Sequence, residues 1–269
     1  MAELTHILLN DLALSAALFL ALWIASVVIK DPSFIDAWWA LGVAVLTLAT
    51  FVQLSEHTTH ALVMTALASL WGLRLGAYLF WRWRKRGADR RYKKILDDAK
   101  AKRGWGFAMA SLLLVFAPQL LLQFLIALPV TLGQAASPYA FGPIAATGAL
   151  VAGFGIIYEM IADLELAHFK SLAANDGQLM DKGLWRYCRH PNYFGEMCVW
   201  WGLWLLACET LAGALTIVSP ILLTYLLTRV SGAPTTEPHM QDTRPAYADY
   251  KARTSAFIPW PPKRGVSQT

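Results

Sequence analysis

Between residues 189 and 196 the chain reads Arg189-His190-Pro191-Asn192-Tyr193-Phe194-Gly195-Glu196, which sets cations, an amide, a phenol and a carboxylate against the start of an apolar run. Lipid requires none of these groups. An ionisable side chain at the bilayer centre costs about 2.5–3.5 kcal/mol on insertion scales, so such residues face a partner or a polar ligand. Asn192 and Glu196 are one helical turn apart, and either alone is explained as a group that serves a helix N-terminus. Capping does not account for Arg189, His190, Asn192, Tyr193 and Glu196 together. Upstream, Glu159 and Asp163 are four apart, so both project from one helical face, with Tyr158 before them. Two readings of that pair stand side by side. One is pairing with Arg186 or Arg189 across the intervening loop; the other is acceptance of hydrogen bonds from ribose hydroxyls or a carboxamide.

The elements that must position these residues are membrane helices. A chain of 269 residues with 57% hydrophobic residues, 12 Trp and only 15% charged residues is too apolar for one soluble core. A hydrocarbon core of about 30 Å asks for ~20 apolar residues per helix. Such stretches occur seven times: Leu12 to Ile29, Phe34 to Val52, Ala61 to Trp81, Gly106 to Leu132, Pro143 to Ala162, Tyr193 to Ala207 and Leu211 to Leu227. The last two, joined only by Cys208-Glu209-Thr210, read as a tight helical hairpin. Pro118 and Pro129 interrupt the fourth span, where a kink is expected. The polar residues inside the spans concentrate in the second half of the chain.

Apart from Arg74 inside the third span, the Lys and Arg residues follow spans one, three, five and seven or sit at the same ends of those spans. The positive-inside rule then places the N-terminus outside and the C-terminus in the cytoplasm, which requires an odd number of spans. The segment Met1 to Asp11 has no cationic region and no small-residue cleavage site, so the first span is read as retained. The net charge of +5 follows this topology rather than forming a nucleic-acid face. The basic run from Arg82 to Arg103 reads as a headgroup-facing loop or, more sharply, as a clamp for a phosphorylated ligand. Cys188, Cys198 and Cys208 read as buried small hydrophobes, and no spacing fits a metal site. No Gly-rich turn follows a strand, and Gly153-Phe154-Gly155 reads as close helix packing.

The run from Arg189 to Glu196, preceded by Gly183-Leu184-Trp185-Arg186-Tyr187, resembles the signature of the membrane steroid 5α-reductase superfamily, which also includes sterol reductases and isoprenylcysteine carboxyl methyltransferases. Lys30-Asp31-Pro32-Ser33-Phe34-Ile35-Asp36, Trp71-Gly72-Leu73-Arg74-Leu75-Gly76-Ala77-Tyr78 and Asp89-Arg90-Arg91-Tyr92 resemble its bacterial 5α-reductase-like branch. The resemblance implies an all-α, seven-helix enzyme of the bacterial inner membrane. Residues from about 1 to 135 would enclose a lipophilic substrate such as a steroid-like enone, and those from about 136 to 269 would hold NADPH.

Carried onto this chain, the strongest implied cofactor contacts are Asn192 and Glu196, with Asp163 at the comparable place on the fifth helix and Glu159 where the steroid enzymes have an amide. Lys170 stands where they carry an arginine near the phosphates, keeping charge but losing bidentate recognition. Arg74, Tyr187, Arg189, His190 and Tyr193 join the implied cofactor site, as do Arg229, Glu237 and His239 in a loosely aligned stretch. Tyr250 and Arg253 match the family's tail, though a surface amphipathic segment explains them as well.

The implied chemistry is hydride transfer to the β-carbon of a conjugated C=C, which needs a hydrogen-bond donor at the carbonyl oxygen. The family uses a Gln-Glu pair and a tyrosine. Here Gln53, Glu56 and His57 lie together with different spacing, and Trp71 stands where the tyrosine is expected. Tyr78, backed by Glu56 or His57, is the implied donor, against an ordinary polar loop at residues 53–57. A methyltransferase using S-adenosylmethionine and a non-enzymatic lipid carrier are the competing readings. Membrane lipids are the other expected partners, with no nucleic acid, no metal and no obligate protein partner.

Overall fold

Helix accounts for about 80% of the chain, and there is no strand among the described residues. The structure, a computed structural model, describes residues 2–136, 138 and 140–263, apart from the side chain of Arg86. The tail Gly265 to Thr269 lies outside the described residues. Two compact units divide the chain, one comprising Met1–Ala146 with Leu203–Ser219, the other Thr147–Gly202 with Pro220–Thr269. The segment Leu203–Ser219 thus belongs to the first unit although it follows Thr147–Gly202 in the chain.

The first unit opens with α1 (Ala2–Ile29), α2 (Ile35–Gln53) and α3 (Thr59–Arg86). The leading segment is therefore helical rather than a flank. Lys30, at φ 55°, and Pro32 stop α1, because neither the left-handed backbone nor the ring continues a helix. Thr58 caps α3 by accepting from the Ala61 N–H at 3.2 Å, and Gly87 at φ 74° ends it. A short polar helix, α4 (Arg90–Arg103), starts on Asp89, whose carboxylate accepts from the Arg91 N–H at 2.8 Å.

Next come α5 (Phe107–Ser111), a π-helical turn (Leu112–Phe116) and α6 (Ala117–Ala135). The widened turn accommodates Pro118, which has no N–H to give Leu114; the Ala117 N–H instead reaches Leu112 O, five residues back. Helix α7 (Pro143–Ser171) follows, then α8 (Pro191–Ala207), α9 (Leu211–Ala214) and α10 (Val218–Tyr225), the last running into a second π turn, Leu226–Val230. The chain closes with α11 (Ala233–Thr243) and α12 (Tyr247–Arg253). The segment after residue 203 is held to α6 by the Ser219 hydroxyl, which donates to Ile126 O at 2.6 Å, and by Gly133, where an added β-carbon would meet Ala207 Cβ at 2.9 Å.

Among the described residues, six helical stretches are long and apolar enough to cross a membrane: Ala2–Ile29, Ile35–Gln53, Thr59–Lys85, Phe107–Ala135, Pro143–Ser171 and Leu211–Thr243. The remaining expected span is α8, a helix of 17 residues, about 25 Å long at 1.5 Å per residue.

Candidate functional site

In the second unit α7 and α8 approach until their backbones nearly touch. A β-carbon on Gly202 would meet Gly148 O at 2.7 Å, one on Gly155 would meet Val199 N at 2.6 Å, and one on Gly195 would meet Glu159 N at 2.7 Å. Gly153 faces open space, so of the two glycines in Gly153-Phe154-Gly155 only the second serves the packing. The contacts pair 155 with 199 and 159 with 195, so one helix ascends as the other descends. Small residues permit this crossing, as in other helix pairs of membranes.

The same register carries the polar groups. Asn192 Nδ2 donates to Asp163 Oδ1 at 3.4 Å, and Glu159, 2% exposed, lies one turn back on α7. Asp163 is buried, while Asn192, Tyr193 and Glu196 are half-buried. Pro191 opens α8, where a missing N–H is no loss. Asn192 therefore sits inside the first turn and turns its amide to α7.

Arg189 and His190 have a different engagement. Arg189 Nε and Nη2 lie 3.0 and 2.9 Å from Glu237 Oε1, His190 Nε2 lies 3.1 Å from the same oxygen, and Lys251 Nζ lies 3.0 Å from Oε2. Arg189 Nη1 also donates to Lys251 O at 3.1 Å and Thr254 O at 2.9 Å. His190 stacks with Tyr193 and Phe257, at centroid distances of 5.2 and 5.4 Å. The Tyr250 hydroxyl donates to Trp185 O at 2.5 Å, and Arg253 pairs with Asp181 at 2.8 Å. Burial pushes the Tyr247 phenol up to about 12, with Glu237 adding to it, and pushes Cys188 to about 12 as well, so the Cys188 thiol stays neutral and donates to Phe257 O at 2.8 Å. Arg189, His190, Glu237, Tyr250 and Arg253 thus clasp the C-terminal segment onto the loop that leads into α8.

Lys170, Arg186, Tyr187, Arg229 and His239 are exposed. Beside the C-terminal end of α7, a cleft of about 390 Å³ is lined by residues that include Glu165, His168, Phe169, Asn175 and Lys182. This donor set suits a phosphorylated nucleotide: carboxylates for hydroxyls, an amide that both gives and accepts, aromatic rings for stacking, and exposed cations for phosphate.

Arg74, Gln53, Glu56, His57 and Tyr78 belong to the first unit. Gln53 donates to Asp11 at 3.0 Å and accepts from Asn10 at 2.8 Å. Glu56 and His57 are exposed beyond α2, and His57 approaches Phe51 O at 3.1 Å. Tyr78 is half-buried on α3, 19 residues past Thr59, which puts it about 28 Å along the helix axis from that loop. The structure therefore does not bring Glu56 or His57 behind Tyr78.

Buried polar groups also populate the first half, contrary to the expectation that they gather in the second. Asp11, fully buried, accepts from Thr50 at 2.6 Å and Thr131 at 3.2 Å. Buried His60 pairs with Glu209 at 2.8 Å, and Glu209 accepts from the Gly142 and Ala145 N–H groups at 3.0 and 3.2 Å. The Tyr92 hydroxyl donates to Asp36 and accepts from Gln119 at 3.0 Å, while Arg91 pairs with Asp36 at 2.6 Å. The sequence signal was present: Gln119, Gln123 and Gln134 fall on one stripe of α6 at 100° per residue.

Residues 22–254 match the family described as a protein of unknown function (DUF1295), which spans most of the chain. The chain belongs to that family, which includes steroid 5α-reductase-like membrane proteins. No curated protein and no solved structure matches the chain.

Proposed function

We propose that this protein is an NADPH-dependent reductase of the conjugated C=C of a lipophilic enone, such as a 3-oxo-4-ene steroid, on the bacterial 5α-reductase-like branch of its family. The observation that carries the reading is the Asp163–Asn192 pair, with Glu159 buried one turn away, at a glycine-lined helix crossing. A carboxylate cluster of this kind accepts hydrogen bonds from ribose hydroxyls or a carboxamide, and lipid offers neither. The presence of steroid 5α-reductase-like membrane proteins in the chain's family motivates the same reading. The proposed setting is the bacterial inner membrane, with α8 as a seventh span, the N-terminus outside and the C-terminus cytoplasmic.

When bound, NADPH supplies a hydride to the β-carbon of the enone. The chain must hold the cofactor and give a hydrogen bond to the carbonyl oxygen, where charge develops. Asn192, Glu196, Asp163 and Glu159 are assigned to the cofactor's sugar and amide groups, and the exposed cations Lys170, Lys182 and Arg186 to its phosphates. The candidate for the carbonyl is the Tyr78 phenol, one turn after Arg74; the single Tyr92 O–H is already given to Asp36.

Calorimetric titration of the purified protein with NADPH and with S-adenosylmethionine tests the reading. NADPH binds more tightly, and Asn192→Ala or Glu196→Ala weakens it by about tenfold, the worth of roughly one charge-assisted hydrogen bond. Equal or tighter binding of the methyl donor overturns the proposal in favour of a methyltransferase.

A further inference from the structure

The segment from Arg82 to Arg103 contains eleven Lys and Arg against three Asp, a net +8 in a chain whose total is +5. The rest of the protein is therefore net negative, and the whole positive excess is confined to the end of α3 and to α4. This segment is not a loose tail. Asp89 caps α4, its N–H donates to Ser33 Oγ at 2.8 Å, and Tyr92 is buried against Asp36 and Gln119. With Tyr92 and Ala99 turned inward seven residues apart, α4 is a fixed platform across the ends of α2 and α6.

Its outward groups are cations beside aromatic rings. Arg84, Lys85, Arg90, Lys93, Lys94 and Lys100 are exposed. Lys85 Nζ lies over the exposed Trp81 ring at 5.2 Å from the centroid, and the Arg103 guanidinium over Trp105 at 4.8 Å. Tryptophan prefers the headgroup level of a bilayer, and cations next to it meet lipid phosphates there. From this charge complementarity we infer that the α3–α4 elbow is a binding platform for anionic phospholipid headgroups. Spans with exposed apolar faces surround it with lipid, so the phosphate closest to hand belongs to a headgroup.

The test reconstitutes the full-length protein into vesicles of phosphatidylcholine with brominated phosphatidylglycerol, or with brominated phosphatidylcholine, and reads the relative lipid affinity from tryptophan quenching. Phosphatidylglycerol is favoured several-fold at low salt, and the preference falls toward unity at high salt, because exposed charges are screened. Lys93→Gln/Lys94→Gln/Lys100→Gln removes most of it, since cations beside an anionic surface are what attract its headgroups. These lysines are exposed, so the triple variant keeps its fold, which the thermal unfolding midpoint verifies. A preference of one in the parent protein, or one unchanged in the variant, overturns the inference. So does loss of NADPH binding in the variant with the lipid preference intact, which would assign the cations to a nucleotide.

Discussion

A β-carbon at position 195 would lie 2.7 Å from the backbone nitrogen and Cβ of Glu159, atoms that move only if a helix moves. Gly195→Ala therefore has to push α8 away from α7, an overpacking cost of about 1–3 kcal/mol. The displacement also lengthens the Asn192–Asp163 contact, which is already 3.4 Å. Gly153→Ala, with nothing within 4 Å, leaves the protein unchanged or slightly stabilised. Thermal unfolding of both variants separates them, and a Gly195→Ala midpoint no lower than that of Gly153→Ala would contradict the crossing. The same scale explains why Arg189 is an anchor: its guanidinium is spent on Glu237, Lys251 O and Thr254 O. Its position in a conspicuous polar run points equally to a ligand, and only the partners decide.

At the scale of elements, α4 depends on one residue at its entrance. Burial works to raise the Asp89 carboxyl, but hydrogen bonds from the Arg91 side chain and backbone, with the charges of Arg91 and Arg82, outweigh it and hold the carboxyl below its ordinary value. A carboxyl depressed in the folded state contributes stability above the unfolded pKa, which is lost as pH falls through the folded one. Hydrogen-exchange protection of α4 amides is thus steady near neutrality and falls below about pH 4, the ordinary aspartate range. Asp89→Ala lowers that protection near neutrality by roughly 1 kcal/mol, the worth of an N-cap, and by less in acid, where the parent has already lost the carboxylate. Asp89→Asn keeps a capping oxygen and loses the acid sensitivity, and acid sensitivity that persists in it would assign the effect to another group. Helix periodicity does not reveal this anchoring, because α4 is mostly polar and its hold on α2 and α6 runs through Asp36 and Gln119.

For the molecule as a whole, the distribution of charge leads to a topology that labelling can check. If the N-terminus is outside, Ser55→Cys, between α2 and α3, reacts with a membrane-impermeant maleimide applied to intact cells. Lys94→Cys, on α4, reacts only after the membrane is opened. Labelling of both from one side would reverse or break the seven-span assignment.

The sequence by itself determined the membrane class and the all-helical make-up. These follow from apolar run length, a local property that survives in any packing. Tertiary structure decided the rest. Glu237 lies 48 residues from Arg189, Asp36 lies 56 from Tyr92, and Asp11 lies 120 from Thr131, and no periodicity relates such positions. Which buried polar groups satisfy one another depends on how helices face each other inside the unit, because a buried donor or acceptor must find its partner wherever the fold puts it.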